Sequence, residues 1–343
     1  MNTNSPSGAT PFPFDPARTA IVQEYREKGM IADRVLPPTP PLGKTEFKYF
    51  KYKMEDAFVV PDAEMGRKGM PHEVEFEGEE VVDQCINYGL RDSVPQQDID
   101  DAAATATSAM EWADPVDTAA LFLTHLLKLN REVRVANLVF NTNSYGADYR
   151  MAVGNGSRFD DADSDPWSLL ETGMNTPLQR PNIAVFGQEA WSKFRAHPKV
   201  LKAVHGNDGD AGLATRRAVA EELEVDEVLV GRSRIANNKE GQPLALKRAW
   251  GKSVALLYRG AFLGGGKPGG KPGSEGTMEL EMTTTDRRNP TFGFTGIYLP
   301  LSVHSRFRSE RGAKGEHEVL VRESCKEVVS GKEFGFYFST VVD

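Results

Sequence analysis

The residues from Gly265 to Lys271 have the spacing G-x-x-x-x-G-K, in which backbone N–H groups would cradle a phosphate and the lysine would neutralise it. Position 272 is proline, which offers neither the hydroxyl that holds magnesium nor a backbone N–H, and no helical pattern follows, so LGGGKPGGKPGSEG at 263–276 is expected to be a surface loop. Asp161, Asp163 and Asp165 are spaced like a calcium loop, but Pro166 stands where glycine is required and Thr172 where glutamate is required. A hydrated acidic loop is expected there. The histidines at 72, 125, 197, 205, 304 and 317 include no HxxxH and have no cysteine at ligand spacing. His125 is expected to be a packed side chain. No GxSxG elbow occurs. Cys85 and Cys325 make no CxxC and are expected to be small buried hydrophobes. The chemistry-bearing residues thus nominate no catalytic residue, no cofactor and no metal, and an enzyme is not expected. One basic concentration remains, Arg287, Arg288, Arg306, Arg308, Arg311 and Lys314, which could face nucleic acid, acidic residues of another copy, or solvent.

What the chain is built to position must then be read from its elements. It has 343 residues, 39% hydrophobic and 26% charged, enough for two domains or one large one. Its formal charge of -8 argues against a dedicated nucleic-acid binder. No signal-peptide pattern and no membrane-length apolar run occur, so a soluble protein made in a reducing cytoplasm is expected.

The longest uninterrupted helical pattern is DPVDTAALFLTHLLKLNREVRVANLVF, 114–140. Asp114 is a good N-cap, Pro115 suits the first helical position, and Asp117 complements the positive end of the dipole. Val116, Ala119, Ala120, Leu123, Leu126 and Leu127 form one stripe, widened by Phe122, Leu129, Val133 and Ala136, so burial on more than one side is expected.

Before this helix lie two limbs. Residues 1–45 are proline-punctuated, with a short helix expected at 17–28, and cannot build a core alone. Phe47 to Val60 and His72 to Val82 read as a hairpin. Phe47 and Tyr49 alternate, and the phase then shifts to Phe50 and Tyr52, as at a bulge. On the return strand Val74 and Phe76 face one way, Glu73, Glu75, Glu77 and Glu79 the other, and the lysines at 48, 51 and 53 meet a partner strand rich in glutamate, which favours cross-strand pairing. A lone ribbon is marginal in water. Phe47, Tyr49, Tyr52, Val74, Phe76, Glu75, Glu77, Arg306 and Arg308 are therefore the residues expected at contacts between copies. Deleting 1–45 or the loop tip at 61–71 should leave a folded subunit that fails to assemble.

After the helix, 150–181 reads as polar loop. PNIAVFGQEAWSKFRAHPKVLKAV then reads as strand, turn and two helices; with a helix at 214–223 and strands at 227–231 and 254–258 it suggests a compact α/β unit. HEVLVRESCKEVV and EFGFYFSTVV close the chain with β structure.

The succession of REVRVANLVFNTNSY, PNIAVFGQEAWSKFRAHPKV, WGKSVALLYRG, NPTFGFTG and KEFGFYFSTVV resembles the major capsid proteins of tailed bacteriophages, over about residues 30–343. The resemblance implies an α+β, Hong Kong 97-like fold: an N-terminal arm (1–45), an extended loop (46–93), a peripheral domain (94–181 with 291–343) carrying a spine helix at 114–140, and an α/β axial domain (182–290). It implies self-assembly into hexamers and pentamers of an icosahedral shell around double-stranded DNA, in a virion assembled in the bacterial cytoplasm. A separate scaffolding protein is implied because the arm is too short and too proline-rich to be an internal one; a portal and decoration proteins are implied as further partners. Some relatives crosslink through a loop lysine and a distant asparagine; Lys68 and Asn289 are present, but no matching motif assigns them that role. An encapsulin-like compartment and a monomeric α/β enzyme or binding protein are the competing expectations.

Overall fold

The computed structural model describes residues 13–27, 29–52, 60, 63–64, 69–70, 78–105, 114–205, 212–238, 241–260 and 291–343, with backbone alone at 50–52, 78 and 205. In chain order, α1 (Pro16–Glu24) and the single turn α2 (Ala32–Val35) precede a ribbon of β1 (Glu46–Tyr52) and β2 (Gly78–Gln84). Strand β3 (Ile86–Pro95) and α3 (Gln96–Thr105) lead to the long α4 (Pro115–Val139), then β4 (Arg150–Ala152) and α5 (Pro166–Asn175). The middle of the chain supplies β5 (Ile183–Gly187), α6 (Gln188–Phe194), α7 (Pro198–His205), α8 (Arg216–Glu222), β6 (Glu227–Gly231), β7 (Arg234–Ala236), β8 (Leu246–Arg248) and β9 (Val254–Leu257). Strands β10 (Gly293–Arg308), β11 (Glu316–Val329) and β12 (Gly335–Ser339) finish it.

Helix α4 starts as its sequence dictates: Asp114 accepts from the backbone N–H of Val116 at 2.9 Å and Pro115 fills the first turn. It runs 25 residues, about 37 Å at 1.5 Å per residue, and bridges two cores. Its first half lays Val116, Ala120, Leu123 and Leu127 on Val303, Val319 and Val321 of the sheet β10-β11-β3. Its second half lays Val135, Ala136 and Val139 on Ile183, Val185, Leu229 and Leu257 of the sheet β4-β12-β9-β5-β6. Phe122 and Leu126, expected within the buried surface, are 59% and 37% exposed because they lie off both faces that the sheets cover.

Strand β5 alternates across its sheet: Ile183 and Val185 meet α4, while Ala184 and Phe186 meet Trp191, Phe194 and Val219 on the other face. Strands β5 and β6 are parallel, and β9 is antiparallel to both β5 and β12. A Cβ at Gly231 would sit 2.1 Å from the Trp250 ring, so only glycine allows this strand and tryptophan to meet. Because β4 and β12 also join this sheet, its strands come from outside the expected 182–290 segment on both sides.

Three local expectations change. Residues 150–181 hold a helix, α5, started by Asp165, which accepts from Ser168 N–H at 3.1 Å with Pro166 behind it; the aspartate spacing that resembled a calcium loop is partly a helix cap. The ribbon β1/β2 keeps unbroken register from Glu46↔Gln84 to Tyr52↔Gly78, so the phase shift at Phe50 involves no inserted residue. The first limb is held by its own chain from Pro13 onward. It follows the outer edge of β10 through Asp15 N–H to Val303 O (3.0 Å), Thr39 N–H to Thr295 O (2.8 Å) and Leu42 N–H to Ile297 O (2.7 Å). An edge strand left bare would invite pairing, and this segment covers it. Val22, Ile31, Val35 and Leu36 are buried as a result. No helix among the described residues is long and apolar enough to cross a membrane.

Candidate assembly interface

The two limbs are fixed to the body by different physics. Arg18 on α1 spans three carboxylates, Asp15 (2.8 Å), Asp114 (2.9 Å) and Asp117 (2.6 Å), and so ties the arm to the start of α4. Its own burial would lower the guanidinium, but the hydrogen bonds it donates to Asp15 and Asp117 outweigh this and raise it. Farther along the arm, Glu132 accepts from Ile31 N–H (2.9 Å), Ala32 N–H (2.8 Å) and the Trp250 indole (2.6 Å), with the Ser233 hydroxyl at 3.4 Å. Burial pushes this carboxyl up, against the pull of those donors. Beside it Arg131, also buried, bonds Asp33 of the arm at 2.8 Å and Glu323 of β11. Burial would lower Arg131, and the charges of Glu323 and Asp33 instead hold it well above its ordinary value.

The hairpin is rooted by aromatics. Phe47 packs on Phe294 with ring centroids 6.2 Å apart, Tyr49 meets the same ring edge-on at 5.9 Å, and Cys85 and Val328 complete the cluster. Phe47, expected at a contact between copies, is 9% exposed and is covered by its own chain. Lys48 pairs with Glu80 across the ribbon, as the charge pattern predicts. The backbone of Tyr52 ends β1, while its side chain and Val74, Glu75, Phe76 and Glu77 lie outside the described residues. The farther points of the hairpin that are described, Val60 and Met70, are 92% and 90% exposed.

Arg306 and Arg308 sit on β10 and both reach Glu318 of β11, at 2.7 and 2.8 Å, with Arg91 at 3.1 Å on the other side. Arg311 pairs with Glu316 and Lys314 with Asp100. The described members of the basic concentration are thus bound to acids of their own chain; Arg287, Arg288, Lys68, Asn289 and the loop at 265–272 lie outside the described residues. His125 bridges to Glu27 at 2.8 Å, a partly exposed tie rather than a packed core side chain. No group of three potential metal ligands occurs among the described residues.

Sequence reasoning missed Arg18, Glu132 and Trp250. A signal was present: Leu127, Arg131 and Val135, and likewise Glu132 and Ala136, are spaced i, i+4, so two charged residues occupy apolar stripe positions and must be satisfied by groups that come to them.

The chain is 35% identical over 332 residues to the major capsid protein of Pseudomonas phage JBD67, covering 97% of this chain and 98% of that one. It is a member of the phage major capsid protein family. A second capsid relative, from Burkholderia phage BcepMu, is 30% identical over 153 residues, covering 43% of this chain and 48% of its own. No family model matches the chain. The fold agrees: a phage-related protein from Bordetella bronchiseptica RB50 superposes with a TM-score of 0.67 at 18% identity, covering 96% of this chain and 98% of that one. The capsid of cyanophage P-SCSP1u does so at 0.52 and 7% identity, covering 92% and 89%. The capsid protein has the α+β, Hong Kong 97-like fold, and its place is in the shell of the virion. Membership of this family decides against the encapsulin-like and monomeric readings.

Proposed function

We propose that this capsid protein assembles as hexamers and pentamers into an icosahedral shell that encloses the double-stranded DNA of a tailed phage, with its two limbs as the clasps between copies. The arm is 1–45 and the extended loop 46–93; 94–181 with 291–343 form the peripheral domain around the helix at 114–140, and 182–290 the axial domain, whose sheet also takes in β4 and β12. The observation that carries the reading is the hairpin rooted on Phe294 whose described outer points, Val60 and Met70, are 92% and 90% exposed. A lone two-stranded ribbon needs a surface to lie on.

In this reading Phe47 and Tyr49 fix the hairpin's direction. Tyr52, Val74 and Phe76 lie on a neighbouring copy, and Glu75 and Glu77 meet its cations. Arg306 and Arg308 share Glu318 and present the remaining positive charge to that neighbour. The role is structural rather than catalytic. Packaged DNA is touched non-specifically, a separate scaffolding protein guides assembly in the host cytoplasm, and a portal and decoration proteins complete the shell.

Electron microscopy of the purified chain, co-expressed with its phage's scaffolding protein, tests this: closed shells with hexameric and pentameric units are expected. Sedimentation showing only a 37.8 kDa species under those conditions would overturn it.

A further inference from the structure

The five-stranded sheet has two outer strands, β6 and β4, about 20 Å apart at the usual strand spacing; the described ribbon after β6 is rich in arginine and the loop after β4 is rich in aspartate. The ribbon β7/β8 springs from the end of β6, and its register places Arg234 directly opposite Arg248 and Ile235 opposite Lys247. Like charges directly opposite across a strand pair are unfavourable. Arg232 precedes the ribbon and donates its backbone N–H to Gly29 O, while Arg248 donates to Arg232 O at 2.8 Å. Between 232 and 248 the described residues hold four cations and no carboxylate, Glu240 being outside them. Arg216, at the start of α8, belongs to the same field: burial lowers its guanidinium, and the charges of Arg232, Arg34 and Arg195 lower it further. Arg34 shares Glu227 with Arg259, so that carboxylate is already engaged.

Strand β4 at the opposite edge runs directly into a loop carrying Asp160, Asp161, Asp163 and Asp165. Lys199 reaches Asp165 at 3.9 Å, and Arg158 is taken by Asp343. Asp160 and Asp163 are exposed and have no ion pair among the described residues.

We propose that the arginine-rich β6 edge of one copy docks against the aspartate loop at the β4 edge of the next, a head-to-tail contact that repeats around a ring. The partner is a second copy of this chain. A heterologous contact requires different, complementary patches on the two sides of one molecule, and this sheet carries them on its two sides. The contact also supplies a counter-charge to the Arg234/Arg248 pair, for which no carboxylate partner occurs among the described residues. The inference rests on the shell-building reading and adds the surface that sets the order of copies within a ring.

The test is a charge exchange in the full chain. Arg232→Glu with Arg234→Glu, and separately Asp160→Arg with Asp163→Arg, should each lower shell yield about tenfold or more at moderate salt, with unchanged circular dichroism. All four substitutions together should restore the yield. Wild-type yield from the arginine variant overturns the proposal, as does failure of the fourfold variant to recover. If the arginine variant forms shells at full yield that co-purify with less nucleic acid, the edge serves a phosphate backbone instead. If the wild type itself gives no shells, the shell-building reading has failed first, and that failure is visible in the control.

Discussion

The carboxylate of Glu132 accepts the indole N–H of Trp250 at 2.6 Å, which fixes the middle of α4 to the segment entering β9. The same carboxylate accepts from Ile31 and Ala32, so one side chain joins the arm, the long helix and the five-stranded sheet. Every partner is a donor. In Glu132→Gln the amide NH2 would be turned toward one of them, at a cost of about 1–3 kcal/mol. Because burial raises the Glu132 carboxyl above 4.5, the folded chain holds its proton to higher pH than the unfolded chain. The resulting stabilisation is complete below the unfolded value and fades as pH rises through the folded one. The melting-temperature gap between wild type and Glu132→Gln should therefore widen as the pH falls from neutral toward 4.5. A gap that narrows over this range would contradict the assignment.

Arg18 is the counterpart at the arm's beginning. Arg18→Ala removes the cation shared by Asp15, Asp114 and Asp117 and leaves three carboxylates close together at the N-terminus of α4. A loss of about 1–2 kcal/mol is expected, with faster proteolysis around α1 than in the wild type. Equal cleavage rates would show that the arm is held by Val22 and its backbone bonds alone.

Glu318 is nearly fully buried among Arg91, Arg306 and Arg308. Glu318→Ala should cost about 3–5 kcal/mol, since it leaves guanidiniums close together without their shared anion. Added sulfate should recover part of the lost melting temperature in the variant and much less in the wild type.

Both cysteines should resist alkylation in the native protein. Burial, reinforced by Glu323, pushes the Cys325 thiol up to about 12, and burial also raises Cys85. Mass spectrometry after iodoacetamide at mildly alkaline pH should find neither modified until denaturant is added. Prompt labelling of Cys85 would mean that the hairpin root opens readily.

Deletion of 1–45 needs a different expectation from the one the sequence supports. Val22, Ile31, Val35 and Leu36 belong to the cores under α4, so removing them should unfold the subunit rather than merely disarm it. Removing 1–12 spares those contacts. Circular dichroism should show a native melt for the shorter truncation and a lost or strongly lowered one for the longer.

Much of the architecture was legible where local rules and tertiary packing agree. Asp114-Pro115 announces α4, the run Ile183–Gly187 announces a buried strand, and the helical pattern at 214–223 announces α8. What escaped was set by distant partners. Nothing near Glu132 in sequence says that Trp250 will reach it, and nothing near Phe47 says that Phe294 will cover it. The aspartates at 161–165 mimicked a metal loop because capping and metal binding use the same side chain for the same reason, an exposed oxygen near backbone donors. The basic residues after 300 read as an outward-facing cluster, and what sequence does not show is that antiparallel pairing of β10 with β11 sets Arg306 opposite Glu318 of the same chain.

Strand β12 lies inside its sheet, between β4 and β9, although it follows every other strand of that sheet in the chain. The sheet therefore has a gap until residues 335–339 have left the ribosome, and the surfaces flanking β4 and β9 cannot take their final form earlier. A polypeptide that stops before residue 335 lacks that interior strand, so β4 has no partner through which to join the sheet.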